Sequence, residues 1–141
     1  MALVTASIYF TSSEGFSGKA AVALGVLETL TQRVGRVGVF RPIVKDAERD
    51  DVLEILVDHL DPTLELRPAD CVGVTYDDVH DDPAAALARI IARYGEVARQ
   101  CEAMVIVGSD FTDVGNPAEL GFNARVAANL GAPVLLVLSG R

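Results

Sequence analysis

Only two lysines occur in the chain, Lys19 and Lys45, and each follows closely on an apolar run. Lys19 lies in the segment Thr11 to Ala20, TSSEGFSGKA, behind a run that ends in Ile8-Tyr9-Phe10 and ahead of a stretch with helical spacing. A loop that leaves a strand and opens a helix turns backbone N–H groups and the positive helix end toward an anion. The phosphate-loop pattern G-x-x-x-x-G-K-[ST] is met at Gly18 and Lys19. It is broken at Ser13, where the first glycine belongs, and at Ala20, where a hydroxyl would bind Mg²⁺. A methyl group coordinates no metal, so the segment is expected to keep a hold on phosphate while losing efficient nucleotide chemistry. The same Gly-Lys pair also suits an ordinary helix start. The candidate anion- or nucleotide-binding residues are Ser12, Ser13, Gly15, Gly18, Lys19 and, after the second apolar run, Arg41. Asp110 and Asp113, either side of Phe111-Thr112, form a second candidate loop, for an effector or for capping a turn.

The other reactive side chains point to less. His80 stands among Asp77, Asp78, Asp81 and Asp82, a group that could hold a hard cation, but helix-capping aspartates in a solvated loop account for it more simply. His59, between Asp58 and Leu60, reads as a surface residue. Cys71 and Cys101 are thirty positions apart with no further cysteine, which fits neither a zinc site nor a disulfide framework. They are expected to be buried thiols. Neither a metal nor a cofactor is expected, and no catalytic residue is assigned.

These residues need a scaffold, and apolar runs alternating with helical patterns supply one. Strands are expected to end at Phe10 and to cover Val37 to Phe40, Cys71 to Thr75, Met104 to Val107 and Val134 to Leu138. Helices are expected over Gly18 to Val34, apolar on most sides and closed by Gly35, and over Asp50 to Leu60. A third starts at Pro83 behind the N-cap Asp82, with Leu87, Ile90, Ile91, Tyr94, Val97 and Ala98 as its buried stripe. A fourth follows Asn116-Pro117, with Leu120, Ala124, Ala127 and Ala128 inside and Gly131 at its end. The expected fold is a three-layer α/β domain, a mostly parallel sheet with flanking helices, over residues 1–141. The last strand should lie deep in that sheet, and no crossover helix follows it. The chain is therefore expected to be an N-terminal fragment of a longer protein, incomplete at its C-terminus, that self-associates around Val134 to Leu138.

Composition narrows the partners. Half of the residues are hydrophobic and only 6% aromatic, and the net charge is −8. So acidic a chain without a basic stripe repels nucleic acid. The first ten residues carry no signal-peptide pattern, and no apolar run reaches the roughly 20 residues of a membrane span. A cytoplasmic location is expected.

The succession SIYFTSSEGFSGKAAVALGVL, VGVFRPI, MVIVGSDFTDV and ELGFNARVAANLGAPVLLV resembles the N-terminal domain of phosphate acetyltransferases of the long bacterial type, which is related to dethiobiotin synthetase. The resemblance covers nearly the whole chain in order. It implies a P-loop NTPase-like fold in which the second strand ends in Lys-Pro and the third principal strand in an acidic residue and glycine. Here the first pair is Arg41-Pro42, and the second stretch reads Val107-Gly108-Ser109, with Asp110 two positions on. Arginine keeps the charge but cannot act as a neutral base. Ala20, Arg41 and Gly108 thus depart from the pattern on three separate elements, which implies a scaffold kept after its catalysis was lost.

What the resemblance implies is a parent enzyme that moves an acetyl group between coenzyme A and phosphate, with its catalytic residues in a C-terminal region outside this chain. The N-terminal domain would serve oligomer stability and the response to a small metabolite, its partners being further copies and that catalytic region. The alternatives are a working ATP-dependent enzyme like dethiobiotin synthetase or the cobyrinic acid amidases, against which Ala20 counts, and a stand-alone metabolite sensor.

Overall fold

The structure, a computed structural model, describes residues 6–12, 18–109 and 118–138. Five strands form one parallel sheet: β1 (Ala6–Thr11), β2 (Val37–Val44), β3 (Val72–Thr75), β4 (Ala103–Val107) and β5 (Val134–Leu136). Their order is β3-β2-β4-β1-β5. Every pairing is parallel, with β4 between β2 and β1. Helices α1 (Lys19–Arg33) and α2 (Asp51–Val57) cover one face; α4 (Pro83–Ala98) and α5 (Ala118–Leu130) cover the other. The fold is the expected three-layer α/β arrangement.

Strand alternation divides the core between the two faces. Phe10, Val37, Val39, Val105 and Val107 pack with Ala23 and Leu27 of α1 and with Leu53 and Leu56 of α2. Tyr9, Phe40, Met104 and Ile106 pack with Ile90, Tyr94 and Val97 of α4 and with Phe122 and Val126 of α5. Burying a large apolar side chain contributes roughly 1.5–3 kcal/mol, so these central strands anchor the fold. Both thiols belong to this core. Cys71 and Cys101 are buried thiols, and burial pushes Cys71 up to about 12 and Cys101 to about 11.

Several sequence expectations need correction. Strand β2 does not stop at Phe40 but runs to Val44. Beyond Phe40 it leaves β4 and pairs with β3 at Arg41, Ile43 and Val44. Its side chains also change phase there: Val37 and Val39 face α1 and α2, whereas Ile43 faces α4 and Val44 faces back. Proline has no N–H for a ladder and is tolerated at such a slip. The carbonyl oxygen of Pro42 would lie only 2.3 Å from a Cβ at position 73, so Gly73 has to be glycine. Residues 76–81 form a short helix, α3 (Tyr76–Asp81), not a loop. Thr75 and Asp78 close it with a reciprocal capping box.

Helix α1 buries one narrow stripe, Lys19, Ala23 and Leu27, while Val22 is 40% exposed. On α4, Ala86, Ile90, Tyr94, Val97 and Ala98 face inward, but Ile91 is exposed. The inward face of α5 is Phe122, Asn123, Val126 and Ala127, not Ala124 and Ala128. The side chain of Leu120 lies outside the described residues, as do Asn116 and Pro117. Among the described residues β5 lies at the edge of the sheet, with Val134, Leu135 and Leu136 all partly in solvent. Among the described residues, no helix is long and apolar enough to cross a membrane.

Candidate functional site

The connections after β1 and β4 leave in opposite directions. Helix α1 carries the chain past β4 to β2 on one face, and α5 carries it past β1 to β5 on the other. In open α/β sheets a crevice forms where neighbouring strands part in this way, beyond their carboxyl ends. At that place the structure brings together Lys19, Arg41, Gly108, Ser109 and Asn123.

Gly18 precedes α1 with φ of 83°, a left-handed conformation that favours glycine. No side chain caps the helix, and its first turn holds no acidic residue. No acidic residue of the first turn offsets the positive end of the helix dipole. Lys19, the first residue of α1, is only 2% exposed. Its Nζ donates to the carbonyl oxygens of Gly108 and Ser109, both at 2.9 Å. Burying an ammonium is costly unless oxygens replace its water, and the end of β4 supplies two.

Arg41 reaches the same place from β2. Its Nη2 donates to the Gly108 carbonyl at 3.4 Å, and its Nη1 pairs with Asp50 Oδ1 at 2.8 Å. The other oxygen of Asp50 accepts from Leu53 N at 2.9 Å and caps α2. Lys19 and Arg41 thus share one carbonyl oxygen, which holds the two cations within the reach of a single phosphate-sized anion. Asp50 offsets one of the two charges. An open hollow of about 300 Å³ adjoins Arg41, lined by Arg49, Asp50, Asp51 and Val52.

A polar cluster fixes the far side. Asn123 Oδ1 accepts from the Tyr9 hydroxyl at 2.5 Å and from Ser109 N at 3.3 Å, and its Nδ2 donates to Ser109 Oγ at 2.7 Å. Gly108 sits inside it. A Cβ there would stand 2.9 Å from Asn123 Oδ1, 2.9 Å from Tyr9 Cε1 and 3.0 Å from the Phe10 carbonyl oxygen. The position expected to carry a carboxylate is therefore one where the backbone itself is packed too closely for any side chain. The Thr11 hydroxyl, at the end of β1, is buried and has no hydrogen-bond partner among the described residues.

Of the candidates read from the sequence, Ser12 is buried at the end of β1, and Gly18, Lys19 and Arg41 surround the carboxyl end of the central strands. Ser13, Gly15, Asp110 and Asp113 lie outside the described residues. Asp50, Ser109, Asn123 and Tyr9 were not anticipated. Asp50 carried a signal, as a helix N-cap nine residues after a lone strand arginine. Asn123 carried one in the i, i+4 pair Phe122 and Val126, which turns its side of α5 inward.

The remaining candidates stand elsewhere. His59 is exposed; its Nδ1 lies 2.8 Å from the Ile55 carbonyl and its Nε2 3.5 Å from Glu28. Asp78 is held below the usual carboxylate range by the hydrogen bond from Thr75 N, which is a capping role. Among the described residues no group of three or more His, Cys, Asp or Glu side chains is placed to hold a metal ion. A second hollow of about 300 Å³ lies over the later half of α4, lined by residues that include Glu65, Asp70, Arg93 and Glu96.

A strand–loop–helix with a buried lysine at the helix start is the frame of a phosphate-loop domain, and residues 6–141 match the AAA domain family. The chain belongs to that family. It is also 30% identical over 96% of its length to a phosphate acetyltransferase of Nitratidesulfovibrio vulgaris, and 28% identical over 95% to a phosphate acetyltransferase of a Synechocystis species. The chain spans about a fifth of the length of these curated relatives.

Proposed function

We propose that this chain is the regulatory and assembly portion of a cytoplasmic phosphate acetyltransferase, with a degenerate phosphate loop that binds a small anion and performs no chemistry itself. The parent reaction would be acetyl-CoA plus phosphate giving acetyl phosphate and CoA, carried out by parts of the enzyme beyond this domain. One observation carries the reading: the loop lysine is held by main-chain carbonyls at a place where Ala20 offers a metal no oxygen and Gly108 leaves no room for a carboxylate. A working nucleotide site holds its Mg²⁺ through a loop hydroxyl and an acidic residue. Here the loop position after Lys19 is Ala20 and the third principal strand ends at Gly108, while the two cations needed to attract a phosphate remain. Asp50 lowers the net charge they present, so anion binding is weak.

An assembly role draws support from β5. Val134 is 50% exposed, Leu136 49% and Leu138 62%, on a strand whose only sheet neighbour among the described residues is β1. Exposed apolar side chains beside a strand edge favour association.

The test uses the purified 141-residue chain. Calorimetry is expected to show weak binding of inorganic phosphate that Mg²⁺ does not improve, and incubation with acetyl-CoA and phosphate is expected to give no acetyl phosphate. Turnover, or tight Mg²⁺-dependent ATP binding, would overturn the reading, and the latter would restore an ATP-dependent enzyme in its place.

A further inference from the structure

We propose that Asp50 makes the anion site selective for hydrogenphosphate: the carboxylate beside Arg41 accepts the acidic hydrogen of the phosphate and rejects tetrahedral anions that have none to give, such as sulfate. The inference rests on the anion-site reading above and names the anion. It starts from a carboxylate standing where an anion is to be attracted. Asp50 Oδ1 lies 2.8 Å from Arg41 Nη1, and Arg41 and Asp50 line the same open hollow of about 300 Å³. An anion that enters the hollow to reach the guanidinium therefore meets the carboxylate as well. The fold fixes that carboxylate in place. Its Oδ2 accepts from Leu53 N at 2.9 Å at the start of α2, and the pair is largely buried, with 6% of the Arg41 side chain and 12% of the Asp50 side chain exposed.

A helix cap does not require a carboxylate, since asparagine caps as well as aspartate. An arginine meant only to attract anions would do so better without a negative neighbour. What the carboxylate adds is an acceptor. It has about four acceptor positions, and the Arg41 and Leu53 contacts use two of them. A sulfate oxygen set against Asp50 would bring two negative oxygens together with no hydrogen between them, and like charges in contact are strongly disfavoured. Hydrogenphosphate has the same tetrahedral shape and the same double negative charge, but it keeps one P–OH. That hydroxyl donates to Asp50, in one of the stronger kinds of hydrogen bond. The other oxygens face the charge of Arg41 and that of Lys19, which the shared Gly108 carbonyl holds close by. The rest of the lining repeats the pairing. Arg49 and Asp51, both exposed, add one charge of each sign. Two arginines and two aspartates suit a ligand that accepts and donates at once, not a bare polyanion.

The test compares three anions on the ¹⁵N-labelled 141-residue chain at pH 8 and constant ionic strength, with Kd read from the shifts of the amide and Arg41 signals. Inorganic phosphate is expected to bind roughly tenfold more tightly than sulfate, the lower end of what one hydrogen bond to a charged group contributes. Methyl phosphate has lost its last acidic hydrogen at that pH, because a phosphate monoester gives it up near pH 6; it should bind as sulfate does. Asp50→Asn keeps the cap and an acceptor for Arg41 but removes the charge, and in that protein the preference for phosphate over sulfate should disappear. Equal binding of phosphate and sulfate by the unaltered chain would overturn the selection and leave the anion site standing. So would methyl phosphate binding as tightly as inorganic phosphate, or a preference that persists in folded Asp50→Asn. If none of the three anions shifts a signal, the anion site itself fails and the selection falls with it. The three titrations of the unaltered chain decide the matter even if Asp50→Asn does not fold.

Discussion

Substituting Gly108 by alanine adds one methyl group at the most crowded point of the site, and its effect can be worked out from what that group would meet. Two contacts at 2.9 Å and one at 3.0 Å fall inside van der Waals distance. They come from Asn123 on α5, the Tyr9 ring and the Phe10 main chain on β1. The Phe10 carbonyl cannot withdraw, because it accepts the Gly108 N–H in the β1–β4 ladder. Relief must come from Asn123 and Tyr9, which are bonded to each other. Overpacking of this kind costs about 1–3 kcal/mol, and displacing Asn123 forfeits one or two hydrogen bonds at about 0.5–1.5 kcal/mol each. The expected loss is about 2–5 kcal/mol, read from urea unfolding with an unchanged slope. At roughly 3 °C per kcal/mol for a chain of this size, the thermal midpoint falls by about 6–15 °C.

Gly25 supplies the control. It lies within α1 with nothing inside 4 Å of a built Cβ, so Gly25→Ala should stabilise by about 0.5–1 kcal/mol through helix propensity alone. The opposite signs at two glycines of one chain are the prediction. A Gly108→Ala protein within about 0.5 kcal/mol of the parent, a difference typical of surface substitutions, would show that the cluster yields freely, and the account of position 108 would be wrong.

Further expectations follow from other residues. Asp50→Ala removes both the α2 cap and the partner of Arg41 Nη1, and should destabilise by about 2–4 kcal/mol, less than for a fully buried pair because both groups keep some solvent contact; a loss below about 1 kcal/mol in urea unfolding would leave only the cap to account for. Cys71 and Cys101, raised by burial from 9.0 to about 12 and about 11, should not react with a thiol reagent at pH 8 until the chain unfolds. Since the unfolded thiols ionise first, stability is undiminished below pH 9 and declines as pH rises toward 11 and 12; a Cys71→Val protein with the same alkaline decline would count against that assignment. In sedimentation over a concentration series the chain should self-associate, and Leu136→Lys with Leu138→Lys should return it to monomer; a strictly monomeric parent chain would refute the assembly role of β5.

Much of the fold was legible because its signals are local. The Asp82 cap with Pro83 behind it marked the start of α4, and Gly35 and Gly131, with φ of 91° and 68°, marked the ends of α1 and α5. The buried central strands read as continuous apolar runs, as a parallel sheet covered on both faces requires. What failed was phase. Counting alanines as core turned α5 by one residue, which put Ala124 inside and left Asn123 unremarked. Ile91 is apolar yet exposed, because the buried stripe of α4 is only wide enough for Ile90, Tyr94 and Val97 and their inward neighbours. Strand β2 continues past Phe40 through Pro42, and the slip that accommodates the proline needs Gly73, thirty-one positions away from it.

The site was half legible for a related reason. Lys19 and Arg41 stand out as rare cations after strands, and that scarcity needs no three-dimensional information. The groups that decide what those cations do are main-chain oxygens and a glycine. A carbonyl is present at every position and leaves no mark in composition, so nothing in the sequence distinguishes the Gly108 oxygen from its neighbours. Gly108 read as a lost carboxylate, which treats the position as an absence. In the structure it is occupied in another sense: Tyr9, Asn123 and the Phe10 backbone fill the space where a side chain would begin, and the carbonyl beyond it binds both cations. Restoring an aspartate at 108 would therefore not rebuild a metal site. It would have to displace the Tyr9–Asn123 bond first, and the departure from the nucleotide-binding pattern is built into the packing of three elements rather than into one replaceable residue.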